Sequence, residues 1–230
     1  MNVSHIRHTL VGVACLISFS SPSLAQASFE GFYAQFGIGH DQNATNNTSV
    51  RASSGGSSYT LNSTGSNPHS SHFATAISLG YYAKVDSNFL LGAGVEYEPV
   101  IQNTSSYTVA SPGQESLNGS YKISNRYTFF ISPAITVDKT GLAYAKVGYT
   151  GQTLKGNSGF LSNVSFANQS GYALGLGYRQ LFASRLYAFI EANYFSYGKS
   201  SASGTSGATT FSVNPSTSAY NGLIGIGYQF

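Results

Sequence analysis

The 230-residue chain has 11 Lys plus Arg and 8 Asp plus Glu against 26 glycines, 17 tyrosines and 15 phenylalanines, with a single cysteine and no tryptophan. A charged fraction of 8% gives no argument for a nucleic-acid partner or an acidic substrate, and it is too low to cover an ordinary water-facing surface. One cysteine excludes an internal disulfide framework, and no apolar run of about 18 residues follows the N-terminal segment, so no transmembrane helix is predicted.

The N-terminal segment combines Arg7, His5 and His8 with the apolar run LVGVACLISF and the small residues Ser23-Leu24-Ala25 and Ala25-Gln26-Ala27. This predicts a secretory signal peptide over residues 1–27, cleaved after Ala25 or Ala27, because the apolar run is too short to span a bilayer. Cys15 lies inside that run, with too little chain before it for a lipoprotein signal. With Arg7 removed, ten basic and eight acidic residues remain, a net charge of +2.

From residue 28 onward the apolar residues recur with a period of two. Strands are predicted at 29–41, 71–85, 88–102, 122–137, 141–152, 169–181, 185–198 and 217–230. The connections alternate. Long ones at 42–70, 103–121, 153–168 and 199–216 are separated by tight turns at Val85-Asp86-Ser87-Asn88, Asp138-Lys139-Thr140-Gly141 and Phe182-Ala183-Ser184-Arg185. An even strand count with short turns at one end and long loops at the other predicts an all-β fold: an antiparallel eight-stranded transmembrane up-and-down β-barrel over residues 28–230, in the outer membrane of a bacterium.

On this register one face of the strands carries Phe32, Phe36, Ile38, Phe73, Ile77, Leu79, Tyr81, Phe89, Leu91, Val95, Tyr97, Tyr127, Phe129, Ile131, Ile135, Val147, Tyr149, Tyr172, Leu174, Leu176, Tyr178, Leu186, Ile190 and Tyr194. The charged residues Lys84, Glu96, Glu98, Arg126, Lys146, Arg179 and Glu191 fall on the other. Lipid outside and a polar lumen inside account for that division. Tyr97, Tyr127, Tyr149, Tyr172, Tyr194 and Tyr220 form one aromatic ring, roughly 20–25 Å above a second built from Phe32, Tyr81, Phe89, Tyr178, Tyr228 and Phe230. Pro133 interrupts the fourth strand, where a closed barrel has no free edge to hide a missing N–H, so a bulge is predicted there.

The segment GFYAQFGIG at 31–39, the alternating strands, the long polar loops and the terminal YNGLIGIGYQF resemble the small eight-stranded outer-membrane barrels of the OmpA and opacity-protein type. The resemblance implies that the last strand, through Gly222, Ile224, Ile226, Tyr228 and Phe230, is the signal read by the barrel-assembly machinery.

The inward glycines of Gly37-Ile38-Gly39, Gly92-Ala93-Gly94, Gly175-Leu176-Gly177 and Gly225-Ile226-Gly227 open no helix and bind no nucleotide on this reading; they make room for Tyr33, Phe130, Tyr144, Tyr187, Lys146 and Arg179. A lumen charge network is expected: Glu96, Lys146 and Glu191 in the middle, Glu98 and Arg126 higher up, with Arg179 also inward. A packed barrel is preferred over the alternative, a narrow porin-like channel for ions or small solutes. Hydrolytic chemistry has only His40-Asp41 and His69-Ser70-Ser71-His72 to draw on, without an orienting third group, and a metal at His69 and His72 lacks further ligands. No enzyme activity, cofactor or metal is therefore expected. In residues 42–70, twenty of 29 positions are Ser, Thr, Asn or Gly and Arg51 is the only charge, which predicts a mobile, solvated loop. The expected partners are outer-membrane lipid, the assembly machinery and host or cell-surface ligands at four displayed loops; the chain is expected to be a monomer.

Overall fold

The computed structural model describes residues 29–62, 69–99, 104–109, 117–158, 162–166, 168–199, 202–206 and 209–230. The predicted signal peptide lies outside the described residues. Eight long strands form the barrel: β1 (Gly31–Ser54), β3 (His69–Lys84), β4 (Phe89–Glu98), β6 (Leu117–Thr136), β7 (Gly141–Ser158), β9 (Gln169–Leu181), β10 (Leu186–Tyr197) and β12 (Thr209–Gln229). Each pairs antiparallel with its neighbours in the order β1-β3-β4-β6-β7-β9-β10-β12, and β12 returns to β1. Closure leaves no unpaired edge in the wall, which is the condition for strands to cross hydrocarbon. The seam ladder runs from Tyr33↔Gln229 to Ser53↔Thr210, and the amide of Phe230 donates to the Phe32 carbonyl at 2.8 Å.

The short turns close the periplasmic end. Val85 N–H donates to Phe89 O, Val137 N–H to Gly141 O and Phe182 N–H to Leu186 O at 2.9–3.1 Å. In the second of these turns Asp138 Oδ1 accepts the Thr140 N–H at 2.7 Å and its hydroxyl at 3.0 Å. The backbone N–H of Thr140 holds the exposed Asp138 carboxyl below the usual carboxylate range.

Strand parity places the apolar side chains outward, with Phe32, Phe73, Phe129, Ile131, Leu176, Ile190, Ile224 and Phe230 all exposed to the lipid side. The upper tyrosines stand in direct cross-strand pairs, Tyr97↔Tyr127, Tyr149↔Tyr172 and Tyr194↔Tyr220. The rings of Tyr194 and Tyr220 lie 4.8 Å apart, and at the opposite girdle Phe32 meets Tyr81 at 4.9 Å. Amphipathic rings at both borders anchor the wall in the interfaces.

Three local expectations are corrected. First, the region above the membrane is not loop alone. β1, β6, β7 and β12 continue past the aromatic ring, and four short strands join them: β2 (Ser57–Asn62) on β1, β5 (Thr104–Val109) on β6, and β11 (Ala202–Ser206) on β12 with β8 (Ser162–Phe166) on β11. The predicted loop 42–70 thus carries a hairpin that turns at Ser54-Gly55-Gly56-Ser57, where both glycines have positive φ, 57° and 87°, as a two-residue hairpin loop requires. Second, Pro133 causes no bulge. Leu91↔Pro133 keeps the β4 register, and Ile131↔Val147 and Ala134↔Tyr144 share one register on β7. The Ser132 hydroxyl donates to the Ala145 carbonyl at 2.7 Å, supplying a donor where proline has none. The register shift in β6 falls instead between Ser124 and Tyr127, around Asn125 with φ 55°. The extra residue brings Ile123, of the opposite parity, to the lumen side that Arg126 faces. Third, β4 stops at Glu98, before Pro99; the predicted continuation over 100–102 lies outside the described residues.

Candidate functional site

Buried side chains of the described residues occupy the lumen in tiers set by strand register. At the periplasmic tier Tyr33, Tyr82, Tyr144 and Tyr187 point inward. Each lies directly across from a glycine: Tyr33↔Gly80, Tyr82↔Gly92, Tyr144↔Gly177 and Tyr187↔Gly227. A Cβ on Gly80 would meet the Tyr33 ring at 2.5–2.6 Å, and one on Gly92 the Tyr82 ring at 2.6 Å, so these rings lie flat on their neighbours only because the neighbours have no side chain. The guanidinium of Arg179 sits among them, its Cζ 3.9 Å from the Tyr33 centroid, 4.9 Å from those of Tyr144 and Tyr187, and 5.2 Å from that of Tyr82. It is 1% exposed. Among the described residues it forms no ion pair, and its Nε and Nη1 have no hydrogen-bond partner. The electron-rich ring faces are what its charge meets.

The middle tier is ionic. Lys146 Nζ donates to Glu96 Oε2 at 2.9 Å and to Glu191 Oε1 at 2.8 Å, and it lies 4.6 Å from the Phe130 ring centre. Ser78 Oγ and Tyr144 Oη donate to Glu96 and Glu191 at 2.7 Å, and Asn193 Nδ2 donates to Glu191 Oε1 at 2.7 Å. The same Asn193 nitrogen donates to Asn221 Oδ1 at 2.9 Å, and Asn221 Nδ2 to Glu98 Oε1 at 3.0 Å. This amide chain joins the middle tier to the next.

There Arg126, fully buried, donates to Glu98 Oε2 at 3.0 Å, to both Asp41 oxygens at 3.2 and 3.3 Å, and to Asn43 Oδ1 at 3.1 Å. Its guanidinium lies 4.4 Å from the Phe195 ring centre. Asn43 and His72 complete the cluster. Above it Gln152 donates to Gln169 and Thr217 at 2.9 and 3.0 Å, and Thr217 to Gln169 at 2.7 Å.

Of the residues singled out from sequence, Glu96, Lys146 and Glu191 are brought together, as are Glu98 and Arg126; Arg179 stands apart in its ring of tyrosines. Lys84 shares the inward parity but is exposed at the periplasmic rim, where it borders a cavity of about 390 Å³ with Glu30, Asp138 and Lys139. His40 is exposed on the outer face, whereas Asp41 is buried against Arg126. His72, weighed from sequence only for hydrolytic or metal chemistry, is buried beside Asp41; Asn43, Asn193 and Asn221 were missed, although Asn193 and Asn221 lie on the inward parity of predicted strands and Asn43 on that of one continued by two residues. Among the described residues no cluster of three His, Cys, Asp or Glu side chains could hold a metal ion. The outward row of β12 carries Gly222, Ile224, Ile226, Tyr228 and Phe230, with the Tyr228 and Phe230 rings 5.0 Å apart.

A closed eight-stranded wall with a lipid-facing apolar belt and a polar core defines a bacterial outer-membrane β-barrel. The chain belongs to the outer membrane protein beta-barrel domain family, whose model matches residues 11–230. The fold is similar to that of the outer membrane protein OprG from Pseudomonas aeruginosa, at 14% identity and a TM-score of 0.62, over 89% of this chain and 98% of that one. Neisserial surface protein A, at 16% identity and a TM-score of 0.49, is matched over 87% of this chain and 98% of that one. The attachment invasion locus protein Ail of Yersinia pestis is matched at 14% identity and a TM-score of 0.39, over 87% and 99%. No curated protein sequence matches the chain.

Proposed function

We propose that this protein is a plugged outer-membrane barrel whose role is structural and surface-facing: the wall anchors an extracellular β-rim, and the lumen does not conduct. The observation that carries this reading is the occupied cross-section at Lys146, where Glu96, Glu191, Ser78, Tyr144 and Asn193 bond across the lumen with every one of these side chains buried. An ion crossing this tier would have to break a bonded, water-poor network. The rim, whose short strands β2, β5, β8 and β11 carry no charged residue, is the surface offered to host molecules or other cells. Single-channel recording of refolded protein in planar bilayers tests the reading. Silence at neutral pH is expected, and steady unitary steps would replace it with the narrow-channel alternative.

The outward row ending on Phe230 supports a role for β12 as the sequence read during assembly. Phe230 has 64% of its surface free of protein contact on the lipid-facing girdle, so packing against the wall stabilises the finished barrel little, about 1 kcal/mol against the ~1.5–3 of a ring fully buried in protein. Deleting Phe230 is therefore expected to lower the amount of barrel in the outer membrane of cells sharply while leaving urea unfolding of the refolded protein nearly unchanged. Normal cellular assembly of the truncated chain would refute the signal.

A further inference from the structure

The upper tier contains a histidine that no ion-pair reading of the lumen uses. His72, in β3 opposite Asp41 of β1, has a side chain only 6% exposed. Its Nε2 lies 2.9 Å from Asn43 Nδ2 and 3.5 Å from Asp41 Oδ2, and its Nδ1 is buried without a partner.

The hydrogen bonds fix its state. Arg126 is a pure donor, and its Nη2 donates to Asn43 Oδ1 at 3.1 Å, so the amide oxygen faces Arg126 and the amide nitrogen faces the other way. That nitrogen donates one proton to Asp41 Oδ2 at 2.8 Å and directs the other at His72 Nε2. Nε2 must accept, which makes the imidazole neutral with its proton on Nδ1. A protonated ring reverses the arrangement: Nε2–H then opposes an amide donor, while the nearest acceptor is the Asp41 oxygen 3.5 Å away.

The charged groups that face the ring lie on three strands. Asp41 on β1 and Glu98 on β4 face one cation, Arg126 on β6; β12 contributes the neutral Asn221, and β10 the neutral Asn193 and the buried Tyr197 hydroxyl, which lies within electrostatic reach of Arg126, Glu98 and Asp41, while Glu191 beyond Asn193 is already held by Lys146.

We propose that His72 is a proton-operated latch at the extracellular end of the plug. At neutral pH it accepts from Asn43; on acidification it takes one proton, releases Asn43 and pairs through Nε2–H with Asp41, loosening the hold of Arg126 on that carboxylate. The latch sits at the root of the rim. The β1–β3 ladder ends at Ala44↔His69, and from Ser49 onward β1 pairs with β2, so the exchange changes how the β1–β2 hairpin is tied to the lumen.

Nitrogen-resolved NMR of the histidine ring and of the Asn43 side-chain amide, in refolded protein between about pH 8 and 5, tests this. At the upper limit His72 is expected as the Nδ1–H tautomer. The Asn43 amide signals are expected to shift with the same midpoint as the ring. His72→Gln retains an acceptor without a titrating proton, and its Asn43 signals are expected to be flat over that range; Asp41→Asn should leave the ring titration in place and abolish the amide exchange. An Nε2–H tautomer at neutral pH, a ring that stays neutral throughout, an Asn43 amide indifferent to the ring, or a pH-dependent amide in His72→Gln would each overturn the latch.

Discussion

Two regions of the same lumen solve the burial of a cation in opposite ways. Arg126 and Lys146 are surrounded by carboxylates: Asp41 and Glu98 for one, Glu96 and Glu191 for the other. Arg179, two tiers below Arg126, has four tyrosine rings and no ion pair among the described residues. The contrast follows from what each tier must do. In the upper tiers the strands bring polar side chains from β1, β3, β4, β6, β7, β10 and β12 to one level, and each charge becomes a node that ties several strands together. In the periplasmic tier the work is filling space: a ring of four Tyr-on-Gly pairs makes a flat-walled socket, and the planar guanidinium packs into it as a fifth flat surface. Charge therefore cross-links one region and fills the other.

The largest effect expected from this contrast comes from Lys146→Met. Removing the ammonium leaves Glu96 and Glu191 buried, facing each other without a cation, while Ser78, Tyr144 and Asn193 still donate to them. Breaking one partner out of a buried pair typically costs ~3–5 kcal/mol. Urea unfolding in micelles, followed by the mobility of the compact band on unheated gels, measures it. A loss below about 1 kcal/mol would mean that water reaches this tier and that the network is not the desolvated plug it resembles.

How much of this was legible in the sequence divides along the same line. Parity was legible throughout: a period of two with the charges on one side assigns Glu96, Lys146 and Glu191 to the lumen, because a charge facing lipid is excluded. Height was not. Asp41 and Arg126 are 85 residues apart in sequence, and only the stagger of strands around a closed wall brings them level. The tyrosine socket was legible in part: inward glycines making room for Tyr33, Tyr144, Tyr187 and Arg179 were expected, but which ring lies on which glycine depends on cross-strand register, and no single strand displays it. The rim was missed for a different one. Above the membrane both faces of a strand meet water, so the apolar alternation that marks β1 below Asp41 disappears although its ladder continues to Ser53. Gly55-Gly56 was the readable remnant, a two-residue hairpin turn inside an otherwise featureless polar stretch. At Pro133 a local rule was applied without its compensation. Ser132, one residue away, carries the donor that proline lacks, and the bulge lies at Asn125, where it brings Ile123 to the lumen side that Arg126 already faces by parity.

The smallest effect, and the sharpest test of the contrast, is Arg179→Met. Two opposing contributions change together in this substitution. The cation–π attraction is lost, worth ~2 kcal/mol or more for a desolvated contact, and with four rings sharing one guanidinium the contacts do not add independently. Against this, burying an ammonium or guanidinium without a carboxylate carries a desolvation penalty of several kcal/mol, which the neutral thioether does not incur. Methionine is also long, unbranched and soft enough to follow the socket, and sulfur makes favourable contacts with aromatic rings. No carboxylate is stranded by the change, because among the described residues none is paired with Arg179. The two contributions are therefore expected to offset to within about 1 kcal/mol, so that Arg179→Met unfolds at nearly the urea concentration of the parent while Lys146→Met unfolds far earlier. If Arg179→Met is destabilised as strongly as Lys146→Met, ring faces hold a buried charge as firmly as carboxylates do, and the distinction between a cross-linking tier and a space-filling tier fails.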